Sequence, residues 1–256
     1  MSKKSVLIEK KGAVVFLLLN RPETSNLVDE ELALEIKDNC RYINEDPNMR
    51  VMILTGIGTC FSTGRRTLPE RMYSYPDNWI NKIQTAESIA KVNIPTIAAI
   101  NGDALDQGLE LALACDLRVA DEKAKLGFRD LSRGLFPWDG GTQRLPRIVG
   151  RSTALDLLLT SRILTAKRAL TTGLVNHVTK QGNALNYAVT LASHIAKLAP
   201  IAIRYTKEAI QKGLDMPLDQ GLRLEADLSF LLHGTRDRSE GIESFLSNRE
   251  PHFLGK

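Results

Sequence analysis

Short apolar runs alternate along the chain with longer stretches whose apolar residues recur at helical spacing. The runs Ala13–Leu19, Val51–Leu54 and Thr96–Ile100 are flanked by Gly, Pro or Asn and predict buried strands. Between the first two runs, Asp29 is a suitable N-cap, and apolar residues follow it at helical spacing as far as Ile43. Strands that are separated by helices predict an α/β core.

The last quarter of the chain has a purely helical pattern. Pro200 predicts the start of a helix that runs to Lys212, with Gly213 as the first residue beyond it. A second helix is predicted to start near Pro217. Its apolar residues cover so much of its circumference that its own core or another subunit must bury them, and we favour the subunit. These residues are Leu218, Leu222, Leu224, Ala226, Leu228, Phe230 and Leu231.

Composition narrows the class of protein. The chain has 256 residues, 43% of them hydrophobic and 25% charged, which are ordinary globular values and exclude a disordered or collagen-like chain. No apolar stretch is long enough to predict a membrane span. The net charge of +4 permits weak attraction to phosphates but does not by itself predict nucleic-acid binding.

The number of cysteines and the N-terminal sequence indicate the cellular compartment. The three cysteines are odd in number and widely spaced, which favours a reducing compartment over a disulfide framework. The run Ala13–Leu19 ends without a small-residue cleavage pattern, so it predicts a strand and not a signal peptide. The expected location is therefore cytoplasmic.

Several common catalytic motifs are missing from the sequence. The four histidines lie far apart, and no cluster has metal-ligand spacing, so we expect no bound metal. Neither a GxxxxGK[ST] phosphate loop nor a GxGxxG motif after a strand occurs. A Gly-x-Ser-x-Gly elbow fails at Ser62, because Cys60 stands where the first glycine is required.

The segment Asn101–Asp116 carries the strongest chemical signal. Glu110 is the only charge in Leu109–Cys115, and a buried lone glutamate is costly unless it is paired or catalytic. The alternatives are escape to solvent at the helix edge or a role near the positive helix end. Backbone N–H groups at Gln107 and Gly108 could form an oxyanion site. Gly108 would either let a ligand approach the backbone closely or serve only as a turn residue.

The chain resembles the enoyl-CoA hydratase/isomerase (crotonase) superfamily over nearly its whole length. Segments similar to that family follow one another in the family's order. They are Leu19–Pro22 with Asn26, Val51–Gly56 with Cys60–Gly64, Asn101–Asp116, Gly140–Arg147, Leu164–Ala166 with Gly173–Val175, and the tail from Arg236 through Ser239–Gly241 to Phe245 and Phe253.

The resemblance implies an α/β fold built as a spiral of ββα units with a helical C-terminal trimerisation region. We expect an acyl-CoA-binding core over residues 1–195 and an oligomerisation region over residues 196–256. The implied substrate is an acyl-CoA thioester, and coenzyme A enters only as part of it, so no separate cofactor is expected. The implied assembly is a homotrimer or a hexamer made of two trimers. Some relatives bind RNA through a lysine-rich helix, but the lysines here are scattered, and neither nucleic acid nor membrane is expected as a partner.

The resemblance also implies roles for individual residues. Backbone N–H groups of Thr63 and Gln107 would stabilise the thioester oxygen as an enolate forms. Glu110 matches the first of two glutamates that handle water, and Asp130 occupies the position of the second with an arm one methylene shorter. Asp139 is either a third catalytic carboxylate or the N-cap of the following helix.

Further residues are expected to contact the substrate. They are Ser62, Gly64, Arg65, Arg66, Gly108, Phe136 and Trp138. The two arginines would grip CoA phosphates, pair with Asp106, Asp130 or Asp139, or lie solvated at the surface. Tyr73, Tyr75 and Trp79, together with Phe136 and Trp138, would form a flat-walled pocket for a cyclic or branched acyl group.

The favoured function is reversible addition of water to an α,β-unsaturated acyl-CoA, with a cyclic or dienoyl acyl group as one possibility. Both carboxyl positions are occupied, and this favours hydration. The alternative is a double-bond isomerase or a hydrolase that uses the same enolate. A non-catalytic or RNA-binding homologue is the least favoured interpretation, and fold resemblance alone does not decide the reaction type.

Overall fold

The computed structural model describes residues 4–65, 81–82 and 84–256. A six-stranded sheet has the order β1-β2-β3-β4-β6-β9; β1 is antiparallel to β2, and all other neighbours are parallel. Its strands are β1 (Val6–Lys11), β2 (Val14–Leu19), β3 (Val51–Gly56), β4 (Thr96–Ile100), β6 (Leu117–Asp121) and β9 (His177–Thr179). The three strands predicted from apolar runs are present, and β3 extends two residues beyond its prediction.

A second, smaller sheet lies beside the first and leads into the candidate site. It contains β5 (Ala104–Leu105), β7 (Lys125–Gly127) and β8 (Ile163–Thr165) in the order β5-β7-β8. The parallel pair of β5 with β7 aligns Leu105 with Gly127. Because the chain leaves both strands at the same end, residues 106–110 and 128–130 emerge side by side.

Helices cover both faces of the main sheet. They are α1 (Glu30–Glu45), α2 (Ala86–Ala90), α3 (Gln107–Leu113), α4 (Gly141–Val149), α5 (Arg151–Leu159), α6 (Ala166–Thr171) and α7 (Ala184–Ile195). The predicted cap of α1 is confirmed, since the Asp29 carboxylate accepts the Leu32 N–H at 3.0 Å. Helices α1 to α4 share one core with the alternate side chains of β2 and β3, while α7 packs alanines against the opposite face. The candidate site lies in the first of these layers.

The C-terminal region consists of α8 (Pro200–Gly213), α9 (Leu218–His233) and α10 (Arg236–Leu246). The prediction that Gly213 lies beyond the first of these helices is wrong, because Leu214 N–H still bonds to the Ile210 carbonyl and Gly213 stays helical. The predicted start of α9 after Pro217 is confirmed.

Most apolar side chains of α9 face away from the core of this single chain. Leu228 is its one buried residue, whereas Leu218 and Phe230 are each 77% exposed. Whether another subunit covers them, and whether residues 196–256 form a separate region, stay predictions. In the part of the chain that the structure describes, no helix is long and apolar enough to cross a membrane.

Candidate active site

Glu110 lies in the middle of α3, whose seven residues are all buried. Its Oε1 accepts the backbone N–H groups of Asp139 at 2.9 Å and Gly141 at 2.8 Å, at the start of α4. The expected alternative of escape to solvent is therefore wrong. Burial, and then the nearby charge of Asp139, raise the pKa of Glu110 to about 8, so it is largely protonated at neutral pH.

Asp130 follows β7 and precedes a single 3₁₀ turn, Leu131–Arg133. Its side chain is buried, and Oδ1 accepts a hydrogen bond from Arg65 Nη2 at 2.9 Å. Burial raises the pKa of Asp130, while the guanidinium of Arg65 acts in the opposite direction. The two predicted carboxyl positions therefore differ, since one carries a direct cationic partner and the other does not.

Arg65 points into the protein and not toward a phosphate at the surface. Its side chain is only 7% exposed, and it donates to the Phe136 carbonyl at 3.0 Å as well as to Asp130. Its guanidinium carbon lies 5.0 Å from the ring centre of Trp138. Solvation of Arg65 at the surface was therefore a wrong expectation, and its pairing with Asp130 was correct. Phosphate binding by Arg65 stays a prediction. Arg66 lies outside the described residues.

Asp139 does not cap the helix that follows it. Gly140 occupies the N-cap position of α4, so the expected N-cap role is wrong. The Asp139 carboxylate instead accepts the N–H groups of Thr85 and Ala86, at the start of α2, and the side-chain amide of Gln107 at 2.9 Å. Burial raises the pKa of Asp139, and these donors oppose the shift. Its carboxylate thus joins α2 to α3.

The two expected oxyanion donors belong to segments that lie side by side. Gln107 begins α3, and Gly108 comes so close to the preceding loop that an added Cβ would lie 2.1 Å from the Ser62 carbonyl oxygen. Thr63 N–H donates to the Ser25 carbonyl at 3.1 Å, so an oxyanion would have to share or replace this bond. The oxyanion roles of Thr63 and Gln107 stay predictions.

The small residues of the site serve packing. The Ser62 hydroxyl is buried and donates to the Asn26 carbonyl at 2.8 Å. The expected contact of Ser62 with the substrate stays a prediction. An added Cβ would lie 2.1 Å from the Ser62 carbonyl oxygen at Gly108 and 3.0 Å from the Asp106 Cβ at Gly64, so close packing favours glycine at both positions. Substrate contacts by Gly64 and Gly108 stay predictions.

The expected aromatic pocket is only partly described. Phe136 is 63% exposed, and its carbonyl accepts a hydrogen bond from Arg65. Its expected place in the pocket wall stays a prediction. Trp138 is partly buried against the core and under Arg65. Tyr73, Tyr75 and Trp79 lie outside the described residues.

Metal ligation was not expected from the histidine spacing. Within residues 4–65, 81–82 and 84–256, no group of three or more His, Cys, Asp or Glu side chains could hold a metal ion. That the protein needs neither metal nor separate cofactor stays a prediction.

Comparison with known proteins identifies the family. The family model described as enoyl-CoA hydratase/isomerase matches residues 9–256. The chain belongs to this family. Its resemblance to the crotonase superfamily and its identity as an enzyme of this family are thereby confirmed, and enoyl-CoA hydratase-type activity on acyl-CoA is supported.

Individual relatives support the family assignment. The chain is 33% identical to crotonyl-CoA hydratase of Syntrophomonas wolfei, over the full length of both chains. It is 36% identical to (E)-benzylidenesuccinyl-CoA hydratase of Thauera aromatica, covering 98% of this chain and 99% of the relative. The solved structure of an enoyl-CoA hydratase from Bacillus anthracis is 36% identical, covers 98% of this chain and 100% of the other, and superposes with a TM-score of 0.94. The expected crotonase-like fold is therefore confirmed.

This family member contains a charge cluster that sequence reasoning did not assemble. Asp106 precedes α3 with a φ of +52°, and its buried carboxylate pairs with Arg129 at 2.7 Å and with Arg133. Arg129 also donates to the Thr63 carbonyl at 2.7 Å. The available signal was the spacing of Arg129 and Arg133 around Asp130, which puts three charges on one short turn next to apolar strands.

Proposed function

We propose that this enzyme adds water reversibly to an α,β-unsaturated acyl-CoA thioester through an enolate. The observation that carries the proposal is a pair of buried carboxyl groups that differ in their electrostatic surroundings. Glu110, without a cationic partner, has its pKa raised to about 8, while Asp130 lies 2.9 Å from a guanidinium that favours the charged form. Pairs of acids whose surroundings separate their pKa values are typical of acid–base catalysis.

Hydration needs one base and one acid, and the pair supplies both. Asp130 takes a proton from water, and the water oxygen forms a bond to C3 of the acyl group. The electron pair of the double bond moves to the thioester oxygen, where the backbone N–H groups of Thr63 and Gln107 stabilise the charge. Glu110 then delivers its proton to C2, and loss of the proton of Asp130 to solvent with uptake of one by Glu110 restores the enzyme, so one water molecule is added in total.

Asp139 acts in this proposal as a positioning residue. Its backbone N–H holds Oε1 of Glu110, and its carboxylate fixes the side chain of Gln107. Its carboxylate is directed to α2, where it accepts the N–H groups of Thr85 and Ala86. A direct proton-transfer role for Asp139 is therefore not part of the proposal.

The decisive experiment follows both isotopes of water. Purified enzyme is incubated with linear, branched and cyclic enoyl-CoA and dienoyl-CoA esters in D₂O that contains H₂¹⁸O, and the products are analysed by mass spectrometry. A hydratase incorporates ¹⁸O at C3 and deuterium at C2, and the ester that reacts fastest defines the acyl class. Deuterium without ¹⁸O would instead assign the isomerase, and release of free coenzyme A would assign the hydrolase.

Asp130→Asn separates the two proton transfers. The asparagine keeps the size and polarity of the side chain but cannot accept the proton of water. We expect ¹⁸O incorporation into an enoyl-CoA to be lost, while exchange of the C2 hydrogen of the saturated ester butyryl-CoA persists. If both persist, Asp130 does not activate water. Asn186→Asp, at the surface of α7, is a control for effects of substitution and purification that do not involve the site, and both activities should be unchanged in it.

We propose that residues 196–256 form the contact of a homotrimer, either alone or paired into a hexamer. Support comes from the exposed apolar side chains of this region, which are too many for a solvated helix face. They include Leu214, Leu218, Leu222, Phe230, Leu231, Phe245 and Leu246. We expect Phe230→Asp to reduce the native mass to that of a monomer, whereas Ser229→Asp adds the same charge one position away and should not. A wild-type monomer would contradict the proposal.

A further inference from the structure

Three buried polar atoms in the active site have no hydrogen-bond partner among the described residues. They are Arg65 Nη1, Asp130 Oδ2 and Glu110 Oε2. Each belongs to a side chain that is held through another polar atom. Arg65 Nη2 donates to Asp130 Oδ1, and Glu110 Oε1 accepts two backbone N–H groups. Buried polar groups are normally satisfied, so three such atoms at one site indicate a ligand group that completes them.

One short segment brings the three side chains together. The carbonyl of Phe136 and the ring of Trp138 hold the guanidinium of Arg65, and the next residue, Asp139, binds Glu110 through its N–H. The positive charge of Arg65 also acts on both carboxyl groups, since it opposes the rise that burial causes in the pKa of each. The three side chains that carry the unpartnered atoms are therefore neighbours.

The orientation of Arg65 is fixed before any ligand binds. Nη2 donates both to Asp130 Oδ1 and to the Phe136 carbonyl, which fixes the plane of the guanidinium. Gly64, with a φ of +112°, sets the direction in which the chain delivers Arg65. A lysine could not bind these acceptors and still offer a second donor nitrogen, because its charge sits on a single nitrogen.

The chemistry of the three atoms selects the group they hold. A single hydroxyl or water oxygen can accept from Arg65 Nη1 and donate to Asp130 Oδ2, with the protonated Glu110 on the side of the adjacent carbon. A hydrocarbon would leave all three atoms unsatisfied. A second carboxylate on the acyl group would face Oδ2 of Asp130 at close range, which is repulsive.

We propose that Arg65 is a catalytic residue that holds the oxygen at C3 of the acyl group, as the attacking water in one direction and as the 3-hydroxyl in the other. This inference rests on the proposed hydration. Arg65 orients a lone pair of the oxygen toward Nη1 while Asp130 removes the proton. The bond from oxygen to C3 forms as the double-bond electrons move to the thioester, and Arg65 itself neither gains nor loses a proton.

The test compares binding with two reactions. The affinities of 3-hydroxybutyryl-CoA and butyryl-CoA are measured by calorimetry for the wild type, Arg65→Lys and Arg65→Gln, alongside hydration of crotonyl-CoA and exchange of the C2 hydrogen of butyryl-CoA in D₂O. Arg21→Lys is the matched control, because Arg21 is also a largely buried arginine that bridges two carboxylates, Asp29 and Glu31, through separate nitrogens. Circular dichroism establishes that each variant is folded.

We expect the wild type to prefer the hydroxylated ester by at least about 10-fold, and both Arg65 variants to lose most of this preference. Hydration should fall by about 100-fold or more, while C2 exchange changes by less than about threefold, since exchange needs only Glu110 and the oxyanion donors. Arg21→Lys should leave the preference and both rates unchanged.

Other outcomes would also decide whether Arg65 has this role. Equal losses of hydration and exchange, or a preference that survives in Arg65→Lys and Arg65→Gln, would overturn the assignment of Arg65. A wild type with no preference for the hydroxylated ester would overturn it without any variant. If the wild type hydrates no ester but shows a preference that depends on Arg65, the proposed hydration and the catalytic role of Arg65 both fail, and only its contact with the 3-hydroxyl stands.

Discussion

The protonation of Glu110 makes the stability of this enzyme depend on pH in a specific direction. Its pKa is raised from 4.5 to about 8 in the folded state, mainly by burial. Below the unfolded value both states carry the proton, and the group has no effect on the free energy of unfolding. Above about pH 8 the folded protein must bury a charge that the unfolded chain exposes to water. Stability is therefore lost as pH rises from 4.5 through 8.

The perturbation that isolates this effect is Glu110→Gln. Glutamine has nearly the same shape, keeps an oxygen that can accept the N–H groups of Asp139 and Gly141, and does not titrate. A tenfold change in proton affinity corresponds to about 1.4 kcal/mol, so burial of the charged form of Glu110 costs roughly 5 kcal/mol in all. Relative to the wild type, the variant should therefore gain about 2.5 kcal/mol of stability between roughly pH 5.5 and 7.5.

Urea unfolding at the two pH values provides the assay, with wild type and variant at the same protein concentration so that any association affects both equally. All other titrating groups are common to the two proteins and cancel in the difference. A difference in unfolding free energy that does not change with pH would refute the reasoning, because Glu110 would then titrate alike in the folded and unfolded states. The same protonation predicts that kcat/KM for hydration falls above about pH 8.

Three further predictions concern the residues around this carboxyl. Asp139→Asn removes a negative charge that raises the pKa of Glu110, so the fall in kcat/KM at alkaline pH should move to lower pH. A full pH profile of kcat/KM checks this, and an alkaline fall at the wild-type pH would contradict it. At Asp106, where φ is +52°, replacement by Gly should leave a protein about 1 kcal/mol more stable than replacement by Ala, since both lose the arginine contacts but only Ala is strained; equal urea midpoints would count against strain. Gly108→Ala would place a Cβ 2.1 Å from the Ser62 carbonyl oxygen and should cost about 2 kcal/mol or more together with activity, whereas Gly213→Ala, with no atom within 4 Å of the added Cβ, should be tolerated; thermal unfolding compares the two.

The amino-acid sequence was a reliable guide to the elements of this fold. Short apolar runs located β2, β3 and β4, because a strand buried on both faces needs apolar residues at every position. The cap of α1 was visible because Asp29 bonds to a residue only three positions away. Predictions failed where a boundary had no strong local signal, as at Gly213, which continues its helix.

Part of the candidate site was also visible in the sequence. A lone glutamate in an apolar helix must be paired, neutral or catalytic, and Glu110 is buried with a raised pKa. The carboxyl at Asp130 was recognised from the order of family-like segments. Its environment was not, because nothing in the spacing of residues selects among several arginines that could reach it.

The sequence by itself determined which chemical groups this protein carries and which strands and helices hold them, since apolar periodicity and capping depend on near neighbours in the chain. Only the tertiary structure decided which groups meet. Arg65 pairs with Asp130 across 65 positions, and Asp139 binds the start of α2 across 54. Those contacts depend on how the two sheets and their helices pack. They decide which carboxyl keeps its proton, because burial and a nearby cation act through space and not along the chain.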